Sequence, residues 1–301
     1  MSSSLAAFSN DLASLVEQSS AFVVGVHARR RFPSSGVHWS PGVVVTAEHT
    51  IHHDDDIVVT TAAGEKLSAE MAGRDAGTDL AVLRVKDLKI ATAPRRTDAA
   101  YRPGNLVVAI GRNKESSNAS LGVLSSLGGP SQSARGGKLD QVIRMDLDLH
   151  PASSGGAVVD TEGKLIGIAT PALSRVAVFA VPNATVDRVA TTLLAHGRVR
   201  QGYLGAGLQP IALPEHLTKS LGMNTASGLI VVSVDQDGPA GKAGLFIGDV
   251  MLELNGQPVQ RPDRVRPILA ELVDKTIPVK ILRGGAIVTL ELTVGERSGR
   301  N

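Results

Sequence analysis

From residue 21 to about residue 182 the chain alternates short apolar runs with Gly, Pro, Asn and Asp: AFVVGVHA, GVVVTAE, DIVVTTA, KLSAEMAG, LAVLRV, NLVVAIG, LGVLSSLG, VIRMDLDL, GAVVD, KLIGIAT and VAVFAVP. Runs of this length, with turn residues between them and no long crossover helices, predict a mainly β body closed into one barrel or a pair of barrels. Ahead of it, Leu5, Phe8, Leu12 and Leu15-Val16 recur at helical spacing and predict a short amphipathic helix over 5–18. So short a helix is marginal alone and must bury one face on its own body or on a neighbouring subunit. Behind it, NATVDRVATTLLAHG (183–197) predicts a helix with Asn183 as cap and Gly197 as terminator. A compact α/β module of about ninety residues follows, with tight turns at Asn255-Gly256 and Gly284-Gly285. The expected organisation is a helical segment at 1–20, a β domain at 21–197, a linker at 198–201, the module at 202–296 and a tail at 297–301.

Composition narrows this picture. The 301 residues exceed the usual size of a single core, and 43% apolar with 20% charged residues is a soluble globular balance. Only 3% are aromatic, so Val, Ala, Leu and Ile must fill the cores. A net charge of +2 with scattered basic residues argues against nucleic acid as a partner. The one dense basic run, Arg29-Arg30-Arg31, lies beside Pro33 and Ser34-Ser35 and reads as a solvated loop. Without cysteine there can be no disulfide, thiolate metal site or cysteine nucleophile. No stretch reaches membrane-spanning length. The first twenty residues lack a basic region and carry Asp11 and Glu17 where a signal peptide needs an unbroken apolar stretch. The expectation is therefore a cytoplasmic protein, the alternative being an exported or periplasmic one whose targeting segment lies outside this sequence.

The chemistry is concentrated at three places. His49 in TAEH, Asp79 in GTDLAVL and Ser154 in ASSGGAV supply a nucleophile, its base and the carboxylate that orients the base. Each alone has a plain structural role: a strand-end histidine, a turn cap and a turn serine. Gly155-Gly156 lets the backbone turn sharply, so that amides beside the serine can converge on the oxygen of a tetrahedral intermediate. The order His, Asp, Ser argues against the hydrolase fold whose nucleophile sits in G-x-S-x-G. HHDDD (52–56) contains metal-ligand residue types, but adjacent positions of an extended loop point to opposite sides. It reads as a solvated loop, and neither metal nor cofactor is expected.

Taken in order, VVVTAEHTI, RDAGTDLAVLRV, SSGGAVVDTEGKLIGIAT, GYLGAGL and DGPAGKAGLFIGDVMLELNGQPV resemble the HtrA/Deg family, a trypsin-like protease domain followed by one PDZ domain. The resemblance covers nearly the whole chain. It implies a chymotrypsin-like double β-barrel, the triad His49, Asp79 and Ser154, and an oxyanion hole from the backbone of Ala152, Ser153 and Ser154. It also implies ATP-independent cleavage of unfolded polypeptides, and a homotrimer formed through the helix bearing Phe8. Two positions depart from the family: Ala152 stands where it has Gly, and Ser153 where it usually has Asn. A methyl group at 152 would bias the loop toward a form whose carbonyl enters the hole, and an inactive peptide-binding homologue is the competing class.

Counting back from Ser154 places Asp148 and Leu149 on the strand forming one wall of the S1 pocket, with Thr170, Pro171 and Ala172 on another. Leu149, Pro171 and Ala172 favour an aliphatic residue before the scissile bond, whereas Asp148 would favour Lys or Arg only if it pointed inward. In the PDZ part, Tyr203, Leu204, Gly205 and Ala206 match the loop that holds a peptide C-terminal carboxylate, and Ile268 and Leu272 on a helix over 264–272 face the peptide. Pro267 must then lie in that helix's first turn or bend it.

Overall fold

The computed structural model describes residues 4–29, 32–96, 101–113, 116–133, 135–174, 176–200, 202–222, 226–270 and 272–296, which fall into two compact units, 1–199 and 200–301.

The first unit opens with helix α1 (Ser4–Ser20) and holds fourteen strands among its described residues. Strands β1 (Val23–His27), β2 (Ser34–Ser40), β3 (Val43–Ala47), β4 (Ile57–Thr60), β5 (Lys66–Asp75) and β6 (Leu80–Val85) close into a barrel in the order β1-β2-β3-β6-β5-β4. After β7 (Leu106–Arg112) and β8 (Ser117–Gly128) comes a small hairpin of β9 (Ser131–Gln132) and β10 (Lys138–Leu139). With β11 (Val142–Asp146), β12 (Ala157–Val159), β13 (Leu165–Thr170) and β14 (Val178–Pro182), the second barrel closes as β11-β14-β13-β12-β7-β8. Helix α2 (Asn183–His196) ends this unit.

The sequence builds these barrels from β-branched residues because alternate positions along a strand face inward. Val24, Val26, Val44, Ile57, Val59 and Leu83 fill the first barrel, and Ile143, Met145, Val158 and Ile166 the second. A third core joins them: Val23, Val37, Val45 and Val82 meet Val108, Ile110, Val159 and Ile168, with Val186, Val189 and Leu193 of α2 and Leu12, Leu15 and Val16 of α1 packed on the same cluster. Buried Arg112 ties α1 to this seam, its Nε donating to the Val23 carbonyl at 2.9 Å and its Nη2 to the Ser20 carbonyl at 3.0 Å. Two helix details differ from expectation. Asn183 is the first helical residue and caps nothing, because its amide donates to the carbonyls of Leu165 at 2.7 Å and Arg96 at 3.2 Å. Gly197 does end α2, at φ 73°.

In the second unit β15 (Gly202–Tyr203) and β16 (Ala206–Ala212) precede helix α3 (Glu215–Ser220), β17 (Ser227–Val234), helix α4 (Pro239–Lys242), β18 (Val250–Leu254) and β19 (Gln257–Pro258). Helix α5 (Val265–Leu269), β20 (Thr276–Arg283), β21 (Ala286–Thr293) and β22 (Gly295–Glu296) complete it, around a core of Leu229, Val231, Met251, Leu254, Val279 and Ile281. The expected helix over 264–272 is shorter, since Pro262–Arg264 form a 3-10 turn and the α-helical part ends at Leu269. Asp249, almost wholly buried, accepts 2.7 Å bonds from Arg283 Nε and Nη2 and from the Phe246 amide. Burial alone would raise its carboxyl, but the Arg283 and Phe246 bonds and the Arg283 charge outweigh burial and hold it below the usual range.

Candidate active site

β3 ends at Ala47 and runs straight into a 3-10 turn, Glu48–Thr50, that carries His49. β5 ends at Asp75, whose carboxylate accepts the Gly77 amide at 3.0 Å, the Thr78 amide at 3.2 Å and the Thr78 hydroxyl at 2.7 Å. That local turn delivers Asp79 with φ 59°, a left-handed conformation that Asp tolerates better than most side chains. The Asp79 side chain is fully buried, and His49 Nδ1 lies 2.8 Å from its Oδ2 and 3.0 Å from its Oδ1. The His49 amide donates to Oδ1 at 2.9 Å, and the Thr170 hydroxyl donates to Oδ2. With Nδ1–H turned onto the carboxylate, Nε2 keeps the free lone pair that a proton acceptor needs. Glu48 beside it titrates above its ordinary value, first because it is buried and then because Asp79 is close, against the opposing charges of Arg74, Arg135 and His49.

The loop carrying Ser154 is held from both barrels. Ser35 of β2 donates its amide to the Ser154 carbonyl at 3.0 Å and its hydroxyl to the Ala152 carbonyl at 2.6 Å. The Gly155 amide donates to Ala169 O and the Gly156 amide to Ser153 O, both at 2.9 Å. Buried Ser153 donates its hydroxyl to Asn118. Gly155 has φ 81°, and a β-carbon there would stand 2.6 Å from the Ala47 amide nitrogen and against the Ser35 carbonyl. One at Gly111 would stand 2.6 Å from Ser153 Cα, and one at Gly156 would strike the Ile110 carbonyl. The Gly155 contact seats the Ser154 loop against the end of β3, two positions before His49. Among the described residues no hydrogen bond joins Ser154 to His49. Such bonds are commonly long in free enzymes and tighten around substrate.

The two amides expected to form an oxyanion hole, those of Ala152 and Ser154, differ in state. The Ser154 N–H makes no hydrogen bond among the described residues. The Ala152 N–H donates instead to Nδ1 of His150 at 3.1 Å, within a 3-10 turn over Pro151–Ser153, and the Pro151 carbonyl accepts from Arg29 Nη2 at 3.2 Å. Arg29 is therefore not the solvated charge that its run predicts; it also holds the carbonyls of Phe32 and Pro33, while Arg30 and Arg31 lie outside the described residues. The HHDDD loop is exposed at all five positions, with Asp54 3.4 Å from Arg74.

The expected S1 residues stand in different surroundings. β11 ends at Asp146, so Asp148 and Leu149 lie beyond the strand; Asp148 is exposed, and Leu149 packs on the second barrel's core. Pro171 borders a cavity of about 420 Å³ with Arg144, Met145, Leu147, Val176 and Val178, which neither Leu149 nor Ala172 lines. Thr170, expected as a pocket wall, turns its hydroxyl to Asp79. Its signal in the sequence is only a polar residue at the end of β13. Ser35, Asn118 and His150 were likewise not singled out, since each acts on the loop through contacts distant in the chain or through a ring whose direction sequence leaves open.

In the second unit Leu204 is buried and Gly205 has φ 80°. Their carbonyls accept from Ala240 N and Asp235 N at 2.8 Å, while their own amides donate to nothing among the described residues. Tyr203 ends β15 and Ala206 begins β16. Ile268 and Leu272 line a cavity of about 280 Å³ with Asn255, Gln257 and Pro267.

Known proteins match this architecture. Residues 34–168 match the trypsin-like peptidase domain and residues 202–294 the PDZ domain. The chain is 32% identical over 262 residues to a probable periplasmic serine endoprotease, DegP-like, of Rhizobium meliloti (strain 1021), covering 84% of this chain and 51% of that protein. It is 32% identical over 253 residues to the DegP-like protein of Rickettsia conorii (strain ATCC VR-613 / Malish 7), covering 80% of this chain and 49% of that one. Thus the chain spans about half the length of the curated relatives it matches. The crystal structure of a serine endoprotease from Yersinia pestis superposes with TM-score 0.76 at 28% identity, covering 95% of this chain and 98% of that one. The HtrA-type protease AlgW with a decapeptide gives 0.75 at 27%, covering 96% and 99%. The relatives' names overturn the cytoplasmic expectation, for they place those proteins in the periplasm. The make-up of the first twenty residues is a poor guide to compartment.

Proposed function

The chain belongs to the HtrA/Deg family of trypsin-like peptidases bearing a PDZ domain, and from that premise we propose that it is a periplasmic serine endopeptidase acting on unfolded polypeptides without ATP. The observation that carries this reading is the His49–Asp79 pair, 2.8 Å apart with the carboxylate fully buried, beside the Ser154 loop. His49 Nε2 takes the Ser154 proton as the hydroxyl oxygen attacks the substrate carbonyl carbon; the proton then passes to the leaving amine as the peptide C–N bond breaks. Water repeats the sequence on the acyl-enzyme. The Ser154 amide, and Ala152's when it is free, stabilise the oxyanion. Fluorophosphonate labelling tests the reading: label that forms on this chain and not on Ser154→Ala supports an activated nucleophile, and no label under any condition refutes it.

A second reading, a catalytically weak homologue serving as a peptide-binding adaptor or chaperone, is favoured by one observation, the Ala152 amide spent on His150.

The 202–296 module is proposed to bind peptide C-termini, supported by the undonated amides of Leu204 and Gly205 ahead of the edge strand β16. Ile268 and Leu272 are proposed to contact the peptide's apolar side chains. Charge-assisted bonds to a carboxylate make a free C-terminus bind about 10- to 100-fold more tightly than its amide. Fluorescence titration with matched peptides measures this, and equal affinities would count against it. Assembly is proposed as a homotrimer through α1, where Leu5 and Phe8 near its N-terminal end stay exposed at 74% and 45% while Leu12, Leu15 and Val16, further along the same face, pack on the core. Sedimentation equilibrium should return three times the 31.3 kDa chain mass, and a stable monomer would exclude the assembly.

A further inference from the structure

Both ends of one peptide unit beside the nucleophile are held by side chains. The carbonyl of Pro151 receives Arg29 Nη2 at 3.2 Å, and the amide of Ala152, on the other side of the same planar trans group, is received by His150 Nδ1 at 3.1 Å. An N–H directed along one acceptor line has no hydrogen left for a second. While His150 holds it, Ala152 cannot meet an oxyanion formed at Ser154.

The neighbouring backbone is fixed independently. The Ala152 carbonyl is bound by the Ser35 hydroxyl at 2.6 Å, the Ser153 amide by the His150 carbonyl at 2.7 Å, and the Ser154 carbonyl by the Ser35 amide at 3.0 Å. The unit between residues 151 and 152 is thus the part of this loop whose direction depends on side-chain partners alone. Arg29 reaches it from the segment between β1 and β2 and is braced there by the Pro33 carbonyl at 3.0 Å. His150 reaches it from its own exposed position two residues back.

We propose that His150 and Arg29 are positioning residues that keep the Pro151–Ala152 peptide turned away from the oxyanion site, so that turnover is limited by release of this unit. The proposal rests on the peptidase reading above. It gives His150 a role opposite to that of His49, restraint in place of proton transfer.

The test uses the full chain and three variants. Nδ1 of histidine and Oδ1 of asparagine both stand one bond beyond Cγ, so His150→Asn keeps an acceptor at the same place whereas His150→Ala removes it. As one oxyanion donor is worth about 100- to 1000-fold in turnover, His150→Ala should raise kcat about 10- to 100-fold on a peptide ester, with KM within about 2-fold. His150→Asn should stay near the parent. Arg29→Met should raise kcat in the same direction. Amide hydrogen exchange at Ala152, which needs no activity, should be slowed in the parent and in His150→Asn and released in His150→Ala. Unchanged or lower kcat in His150→Ala with released exchange would overturn the restraint and leave the peptidase reading intact. Absence of fluorophosphonate label from every variant, His150→Ala included, would overturn both, through the reading on which the restraint depends.

Discussion

Ser154→Ala should lower turnover by about a million-fold, to the level that binding and the remaining amides supply. On the proposed mechanism, loss of the hydroxyl removes the atom that forms the acyl bond; the chain has no cysteine to replace it, and the neighbouring Ser153 donates its hydroxyl to Asn118 while buried. The substitution deletes one oxygen from a buried residue whose carbonyl stays bound to the Ser35 amide and whose neighbour Gly155 stays bound to β13, so the fold should persist. Rate measured on casein against an unaltered circular dichroism spectrum checks both halves. A residual rate within about 100-fold of the parent would mean that hydrolysis does not run through this residue.

The second large effect is expected at Asp79. Asp79→Asn should cost about 10,000-fold in kcat with little change in KM. The side chain has three partners: the ring Nδ1 and the amide of His49, and the Thr170 hydroxyl. Asparagine can keep its oxygen on the His49 amide, which sends its NH2 toward the ring. Facing a donor, Nδ1 must become the acceptor, and the proton moves to Nε2, the atom that has to receive one from Ser154. The geometry survives and the tautomer is wrong. Steady-state kinetics should show the loss, and fluorophosphonate should label the variant at a comparably reduced rate. A loss below about 10-fold would indicate that His49 is oriented by something other than this carboxylate.

How much of this was legible beforehand follows from the range over which each signal acts. Strands of both barrels could be read because alternation and turn residues are local, and the helix ending at Gly197 because a left-handed glycine marks itself. VIRMDLDL overran its strand since Leu147 and Leu149 keep the alternating pattern after β11 has stopped, packing on the second barrel's core from outside the ladder. The helix of the second unit is shorter than its pattern predicts chiefly because it ends at Leu269, and Pro262–Arg264 ahead of it form a 3-10 turn. In the site, His49, Asp79 and Ser154 could be picked out because each adjoins a strand with a recognisable pattern. Their supporting contacts span the fold: Arg29 and Pro151 are 122 positions apart, Arg112 and Ser35 77, and Thr170 and Asp79 91. Nothing in a single sequence marks such pairs. The departure at Ala152 did draw attention to the oxyanion loop, but the imidazole occupying its amide came from a residue to which the sequence assigned no role.

The crowding at Gly111, Gly155 and Gly156 has a consequence for how this molecule tolerates change. Of these three it is Gly155 that meets the other half of the first unit, against main-chain atoms of Ser35 and Ala47, a close approach that no rotamer can adjust. Libraries that exchange Val for Ile or Leu deep in either barrel should alter melting temperature while leaving reaction rates nearly still. A single added methyl at residue 155 should do the reverse, spreading the joint and uncoupling proton acceptor from hydroxyl in a protein that remains otherwise folded.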